Sequence, residues 1–499
     1  MHQTVAQEPR PAVIVPRRRM VLAAALMATF MAAVESSIIA TAMPSIVGDL
    51  GGFRLFSWVF AAYLLTMAVS IPVYGRLADL YGRKRVFFVG TGIFLVGTTL
   101  CGLAPNMLAL VVFRAVQGIG AGAIQPIAST IVGDIYTPAE RARVQGYISS
   151  VFGISAIVGP ALGAFLVEHV HWSVVFWINL PIGAASIAMF VAFLHERVEH
   201  RRHSIDWLGA ALLVVGVGTP MLALVQAASL DGATLLGLTV FGAAALVALV
   251  LHERRTPEPM VPFRLWRNRV VALSNLGIFG TGSSMMGVAA FLPTYVQGVM
   301  GRSPGIAGFV LGCMSVSWMF ASIAAGRLMI RTSYRLAAAL GGAALVVGAA
   351  MMFAMSPESG VPWAAAASLI VGIGMGCCNT AFLVSIQASV GWSERGVATG
   401  ANMFMRMFGQ SLAAALFGAI LNFGVLRRAP DAVDAVNQLL EPGIRRAMAP
   451  ALAGRLGEAV AASLHEVYLI VTLVSAATLL VALAFPSGMS PTRPAAGKL

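Results

Sequence analysis

Charge is scarce in this chain. Asp, Glu, Lys and Arg make up 11% of its 499 residues, against about 25% in ordinary soluble proteins, while 58% are hydrophobic and the mean hydropathy is +0.84. A water-soluble fold has no way to cover that much apolar surface. Lysine is nearly absent, with only Lys84 and Lys498. Neither sits in a GxxxxGK[ST] loop, so an ATP-driven pump is excluded within this chain. The net charge of +13 comes from arginines in short connections and not from a soluble basic domain, which argues against a nucleic-acid partner. The four cysteines, Cys101, Cys313, Cys377 and Cys378, fall in apolar runs without the spacing of metal ligands or a disulfide framework. No metal or other cofactor is expected. The eight histidines lie in loops, helix ends or the tail. The clustered catalytic side chains that a membrane-embedded enzyme would need are therefore missing too.

What the chain has in quantity is long apolar runs. About 20 apolar residues cross the hydrocarbon core as a helix. Fourteen such runs fit, near 20–43, 55–75, 86–104, 107–129, 144–166, 174–194, 207–227, 233–252, 270–294, 305–325, 335–354, 362–385, 398–422 and 464–485. The expectation is an all-α polytopic membrane protein of fourteen spans. Arg17-Arg18-Arg19 precedes the first run, which has spanning length and no evident cleavage site, and so reads as an uncleaved anchor. An even number of spans puts both termini on one side. The connections after the second, fourth, sixth, eighth, tenth and twelfth helices, with the two tails, hold 24 of the 33 Arg and Lys. The positive-inside rule makes that side cytoplasmic. The outer loop at 423–463 runs against the rule, with Arg427, Arg428, Arg445, Arg446 and Arg455 against four acids. A shifted last helix would resolve the conflict.

The sequence also repeats. MPSIV at 43–47 returns as LPTYV at 292–296, and GRL at 75–77 as GRL at 326–328. GIGAG at 118–122 returns as GIGMG at 372–376, and GAFL at 163–166 as GAIL at 418–421. Four weak matches in one order and at nearly constant offset point to two six-helix halves. Such repeats mark secondary transporters, whose substrate site lies at the repeat interface. The expected organisation is a basic tail (1–19), a six-helix bundle (20–194), and an insertion (195–269) carrying helices seven and eight. A second six-helix bundle (270–485) includes the outer loop, and a tail (486–499) follows.

Several segments resemble the major facilitator superfamily, and within it the fourteen-helix drug:proton antiporters. Gly75-Arg-Leu-Ala-Asp79-Leu-Tyr-Gly82-Arg83-Lys84-Arg85 matches the superfamily's loop between helices 2 and 3. Leu110-Val-Val-Phe-Arg114-Ala-Val-Gln117-Gly118-Ile-Gly120 matches the motif of helix 4. Gly159-Pro160-Ala-Leu-Gly163 matches the antiporter motif of helix 5, with Ala164 in place of a second glycine, and Ala414 and Ala415 show its absence from the second half. Phe176-Trp-Ile-Asn179-Leu-Pro181-Ile-Gly183 is similar to the signature of the fourteen-helix branch, with Ser173 for its arginine. In helix 1, Glu35 stands where the family has aspartate and Ala40 where it has asparagine.

Glu35 is the only carboxylate deep within a predicted helix. An intramembrane carboxylate is costly, and it faces a cavity, pairs with a base or binds protons. Taken out of water, a carboxylate holds its proton to higher pH, as loading and release near neutrality require. Arg114 lies at similar depth, and a guanidinium stays charged, so its part is to favour the ionised carboxylate when near and release it when distant. A fixed structural ion pair is the plainer reading of both. In the turn at Gly75, Asp79, Gly82 and Arg83, an acid can dock on a helix N-terminus or on basic residues. By resemblance this segment is a conformational latch; orientation by positive charge is the alternative. Gly159, Pro160 and Gly163 read as an antiporter kink, or simply a structural one. Gln117, Gln297, Asn402 and Arg406 are the candidate cavity residues, with 25 methionines and 26 phenylalanines suited to a plastic apolar pocket; snorkelling of Arg406 to the inner surface, about nine residues away, is an equal reading.

The resemblance implies an exporter of hydrophobic or amphipathic small molecules in exchange for protons, cycling by alternating access in the bacterial cytoplasmic membrane. Its partners would be small lipophilic substrates, protons and the lipid bilayer, with the proton gradient as energy source. An importer or facilitator of the same fold, not coupled through Glu35, is the alternative. Predicted helices 9–13 hold no acid, which disfavours divalent cations as cargo. The 423–463 loop is the surface that a periplasmic adaptor would contact.

Overall fold

The computed structural model describes residues 17–136, 138–194, 196, 206–225, 230–256, 263–390, 395–430 and 450–486. Helices α1 (Arg18–Leu50), α2 (Phe56–Tyr81), α3 (Arg83–Gly102), α4 (Met107–Ile135) and α5 (Pro138–His169) are followed by a short α6 (Val174–Trp177) and by α7 (Asn179–Phe193). Next come α8 (Trp207–Val225), α9 (Gly232–Glu253), α10 (Arg269–Thr294), α11 (Pro304–Arg331), α12 (Tyr334–Phe353), α13 (Gly360–Ser389), α14 (Arg395–Arg428) and α15 (Pro450–Leu483). Polar caps mark several ends of these apolar rods. The side-chain oxygens of Asn106, Asp231, Asn268 and Ser303 accept first-turn amides of α4, α9, α10 and α11, as helix N-termini require. Gly82, at φ 88°, turns the chain from α2 into α3 in the left-handed region that glycine enters freely.

Twelve segments among the described residues are long and apolar enough to cross a membrane by length and composition, and Trp207–Ala223 is a shorter apolar helix. Large apolar side chains such as Phe241, Phe309, Phe320 and Leu480 are more than half exposed, a surface suited to lipid. The architecture is an all-helical, polytopic membrane fold. One sequence expectation shifts: α14 runs on to Arg428 and α15 starts at Pro450, so both flanks of the 423–463 stretch are helical. Arg427 and Arg428 each donate to Glu466 Oε1, at 2.8 and 2.5 Å. Two of the five arginines that break the charge rule are thus locally compensated. Residues 431–449, most of the expected adaptor surface, lie outside the described residues.

The sequence repeat has a counterpart in the packing. α1 packs on α4, α5 and α7 as α10 packs on α13, α14 and α15. α4 holds α2 and α3 as α13 holds α11 and α12, and α3 meets α7 as α12 meets α15. Between the halves the principal contacts are again a matched pair, α2 with α14 and α5 with α11, and α1 also meets α10. The inserted pair α8 and α9 packs on itself, and α8 also packs on α2 and α14.

Those two seams close at one end only. Ser411 Oγ donates to Ala61 O at 3.0 Å, Asn422 Nδ2 to Arg54 O at 2.8 Å, and Gly305 N to Glu168 Oε1 at 2.7 Å. Phe56 and Phe291 have ring centroids 5.5 Å apart. All of these lie toward the end away from Arg18. At the other end Gly75 of α2 and Gly400 of α14 have open space around them. Among the described residues the halves therefore meet at one face, and the α2–α14 seam opens toward the other.

At the α5–α11 seam, a Cβ on Gly308 would lie 2.8 Å from Pro160 O, whereas one on Gly312 would meet nothing within 4 Å. Overpacking of this kind costs about 1–3 kcal/mol. Gly308→Leu is expected to lower the thermal unfolding midpoint of the purified protein, and Gly312→Leu to leave it unchanged. Equal midpoints for the two variants would mean that the seam is not packed as described.

Candidate functional site

The site grows from one residue on α1. Glu35 is 0% exposed and Arg114 2%, and they meet at 2.6 Å through Arg114 Nη1 and Glu35 Oε1. Gln117 Nε2 donates to the same oxygen at 2.9 Å, and Asn179 Nδ2 donates to Oε2 at 2.5 Å. Arg114 and Gln117 stand three apart on α4, hence on one helix face, and Arg114 Nη1 also donates to Gln117 Oε1 at 2.5 Å. The guanidinium is held further by Val59 O, 3.1 Å from Nε, and by the Tyr63 ring, whose centroid is 3.9 Å from Cζ. Gln117 Nε2 donates on to Thr98 Oγ1 of α3 at 2.6 Å. A close approach makes that bond possible, because a Cβ on Gly97 would overlap the Gln117 backbone.

This arrangement suits an ionised carboxylate. Its two oxygens take three donors, one of them cationic, and such charge-assisted bonds are the strong ones. The partners come from α2, α3, α4 and α7, all in the half that carries Glu35. The pair is thus sealed within one bundle and is not exposed on a cavity wall. Asn179 is set at the break between α6 and α7, where its Nδ2 also donates to Phe176 O at 3.2 Å; its Oδ1 has no donor among the described residues.

The other expected residues fall in separate places. Gly159 and Gly163 lie against α1, where a Cβ would overlap Ser37 Oγ and Thr41 Oγ1, and Pro160 sits within a continuous α5. Gln297 occupies a π-turn that prolongs α10, and its Nε2 donates to Thr41 O across the halves at 3.4 Å. Asn402 is buried between α14 and α10, donating to Asn275 Oδ1 at 3.3 Å. Arg406, on α14, is half-buried. Gly75 is exposed, Gly82 caps α2, and Arg83 begins α3. The side chain of Asp79 lies outside the described residues. The group docked on the α3 N-terminus is Glu196, which accepts from Arg83 N and Lys84 N, both at 2.9 Å. Lys84 Nζ closes the connection by donating to Val191 O and Leu194 O, at 3.0 and 2.7 Å.

Sequence reasoning missed Glu196, Asn179, Thr98 and Tyr63 as site residues. For Glu196 a signal existed, an acid inside an arginine-rich connection. Asn179 was visible within a motif, but without a chemical role. Nothing in the sequence marks Thr98 or Tyr63.

Two halves that share one packing plan and meet at one face, with a buried ion pair inside one of them, define a repeat-built membrane transporter. The family model described as Major Facilitator Superfamily matches residues 25–414, and the chain belongs to that superfamily. It is similar to Multidrug resistance protein 3 of Bacillus subtilis (strain 168), at 33% identity over 467 residues, covering 89% of this chain and 90% of that protein. It is also similar to Multidrug transporter protein MdtP of the same organism, 32% identical over 409 residues, covering 81% of this chain and 76% of that one. Among solved structures, a bacterial homolog of the human lysosomal transporter Spinster, inward-facing and unoccupied, aligns with TM-score 0.63. Its identity is 17%, over 94% of this chain and 97% of that one, and a likeness so distant speaks for the fold alone.

Removing one partner of a buried pair leaves an uncompensated charge and costs about 3–5 kcal/mol. Arg114→Met is expected to lower thermal stability by that order, and adding Glu35→Gln to recover much of the loss. A double variant no better than Arg114→Met would show that the pair is not the dominant contact of Arg114.

Proposed function

We propose that this transporter exports hydrophobic and amphipathic small molecules in exchange for protons, with Glu35 as the proton-carrying group. The observation that carries the reading is the sealed cluster of Glu35, Arg114, Gln117 and Asn179. Relatives named for multidrug resistance and multidrug transport over most of their length support the cargo class. On this reading the chain crosses a bacterial cytoplasmic membrane fourteen times. α5, at 32 residues, and α8, at 19, supply the two spans beyond the twelve. Both termini are then cytoplasmic, and the parted face opens to the cytoplasm.

α1 is the element through which a proton acts on the rest. It carries Glu35, it lies against the glycines of α5 at Ser37 and Thr41, and its Thr41 carbonyl takes the Gln297 amide of the other half. Proton uptake removes the charge that Arg114 compensates and loosens the hold of α4 on α1. Any shift of α1 is felt at both seams. The α2–α3 turn, with Gly75, Asp79, Gly82 and Arg83, acts as a latch on the cytoplasmic side, its α3 end anchored by Glu196.

The test is efflux of fluorescent lipophilic dyes driven by a pH gradient in inverted vesicles, for the unmodified chain and for Glu35→Gln. Gradient-driven transport is expected in the first and not in the second. Transport that survives the substitution, or that ignores the gradient, sinks the assignment of Glu35.

A further inference from the structure

The second half contains a charge that the proton mechanism leaves unused. Arg406 lies near the middle of α14, a helix of 34 residues. At 1.5 Å per residue its depth is about 8 Å from the helix midpoint, within a hydrocarbon core of about 30 Å. No acidic residue occurs anywhere in α10 to α14. Among the described residues the Arg406 guanidinium has no hydrogen bond, no carboxylate and no aromatic face. The one buried carboxylate among the described residues of the first half, Glu35, is already taken by Arg114. A guanidinium at this depth without a counter-charge is costly, and a fold that retains one there has a use for it.

The surroundings fit a ligand. Gln410 follows Arg406 by four residues, hence on the same face of α14. It is only 7% exposed, and its amide too has no hydrogen-bond partner among the described residues. The opposite face carries Met405, Phe408, Leu412, Leu416 and Phe423, all apolar and partly or fully exposed, and so faces lipid or the ring of neighbouring helices. Arg406 and Gln410 are thereby turned to the interior, on the stretch of α14 that lies between the closed seam at Ser411 and the open space at Gly400. On one flank Gly282 of α10 lies against the Arg406 backbone and stem. A turn further along the helix Asn402 is held by Asn275 of α10, and Asn275 Nδ2 is buried without an acceptor among the described residues.

We propose that Arg406, with Gln410 beside it, is a binding subsite for the acidic group of an amphipathic organic anion. The guanidinium pairs with a carboxylate, sulfonate or phosphate, the Gln410 amide takes a remaining oxygen, and the apolar body extends between the halves. The cargo thus supplies the counter-charge that the protein omits. The inference rests on the reading of the chain as an exporter, and it narrows the cargo from lipophiles in general to lipophilic acids.

Binding tests it without a proton gradient. The purified chain in zwitterionic phosphatidylcholine nanodiscs is titrated with 1-pyrenebutyrate, 1-pyrenebutanol and a pyrenebutyl-trimethylammonium salt. Energy transfer from tryptophan is the readout, with empty nanodiscs subtracted. The carboxylate is expected to bind about tenfold or more tightly than the alcohol, with the ammonium weakest. Arg406→Gln should abolish that order, Arg406→Lys should restore part of it, and Glu35→Gln should leave it intact. Equal affinities in the unmodified chain, a comparison that needs no variant, would overturn the proposal, as would an Arg406→Gln variant that still prefers the acid. If phosphatidylglycerol in the nanodiscs erases the preference, the occupant is a lipid headgroup and the assignment to cargo fails. Absence of gradient-driven dye transport in the unmodified chain, or its survival in Glu35→Gln, with the anion preference retained, would defeat the proton reading alone.

Discussion

A carboxylate inside a bilayer has to be satisfied by protein, because no water is there to do it. Around Glu35 that single requirement organises five helices. Arg114 and Gln117 come from one face of α4, Asn179 from the break between α6 and α7, and Tyr63 and Val59 from α2 hold the arginine in turn. Gln117 passes the network on to Thr98 of α3. Each of these groups would itself be an unpaid polar burial without the others, so the cluster stands as a unit. A change of charge at its centre would alter every bond at once.

The two halves share a packing plan and divide the chemistry. In the first half the buried charges cancel, Glu35 against Arg114. In the second half α10 to α14 carry no acid, and the polar contacts of the α10–α14 seam are neutral, such as Ser283 Oγ donating to Gly409 O at 3.0 Å and Asn402 to Asn275. The pseudo-symmetry of the helices thus coexists with an electrostatic asymmetry. On the proposed reading, two sites of different charge, one in each half, would let a carrier handle a proton and a cargo separately as the halves move against each other. The closed seams lie where small residues allow close backbone approach, as Gly418 does against Ser57 and Gly308 against Pro160. The inserted α8 backs the α2–α14 seam, with Met221 taking a contact from Ser411 at 3.8 Å.

Apolar run length and arginine placement are local properties, and they mark out the rods of this fold well. The limits of α3, α9, α10 and α12 fall within a few residues of the runs 86–104, 233–252, 270–294 and 335–354. The last helix begins fourteen residues before its expected start at 464, at Pro450. Its early turns carry Arg455 and Glu458 and project past the apolar run that hydropathy measures. Glu196 escaped notice because its partners are backbone amides, which no sequence pattern displays.

The sequence by itself determined that the chain is a membrane-embedded, twofold-repeated helical transporter, because the bilayer sets a length and a composition for every span and the repeat copies them. It also singled out Glu35, Arg114 and Arg406, because a charge in such a run is conspicuous. Tertiary structure decided which of these charges meet. Glu35 and Arg114 stand 79 residues apart, and only the packing of α1 against α4 brings them to 2.6 Å. Arg406 is set apart by the same packing, since among the described residues no carboxylate is brought against it. Pairing inside a membrane is a matter of which helix faces are turned together, and that information belongs to the fold.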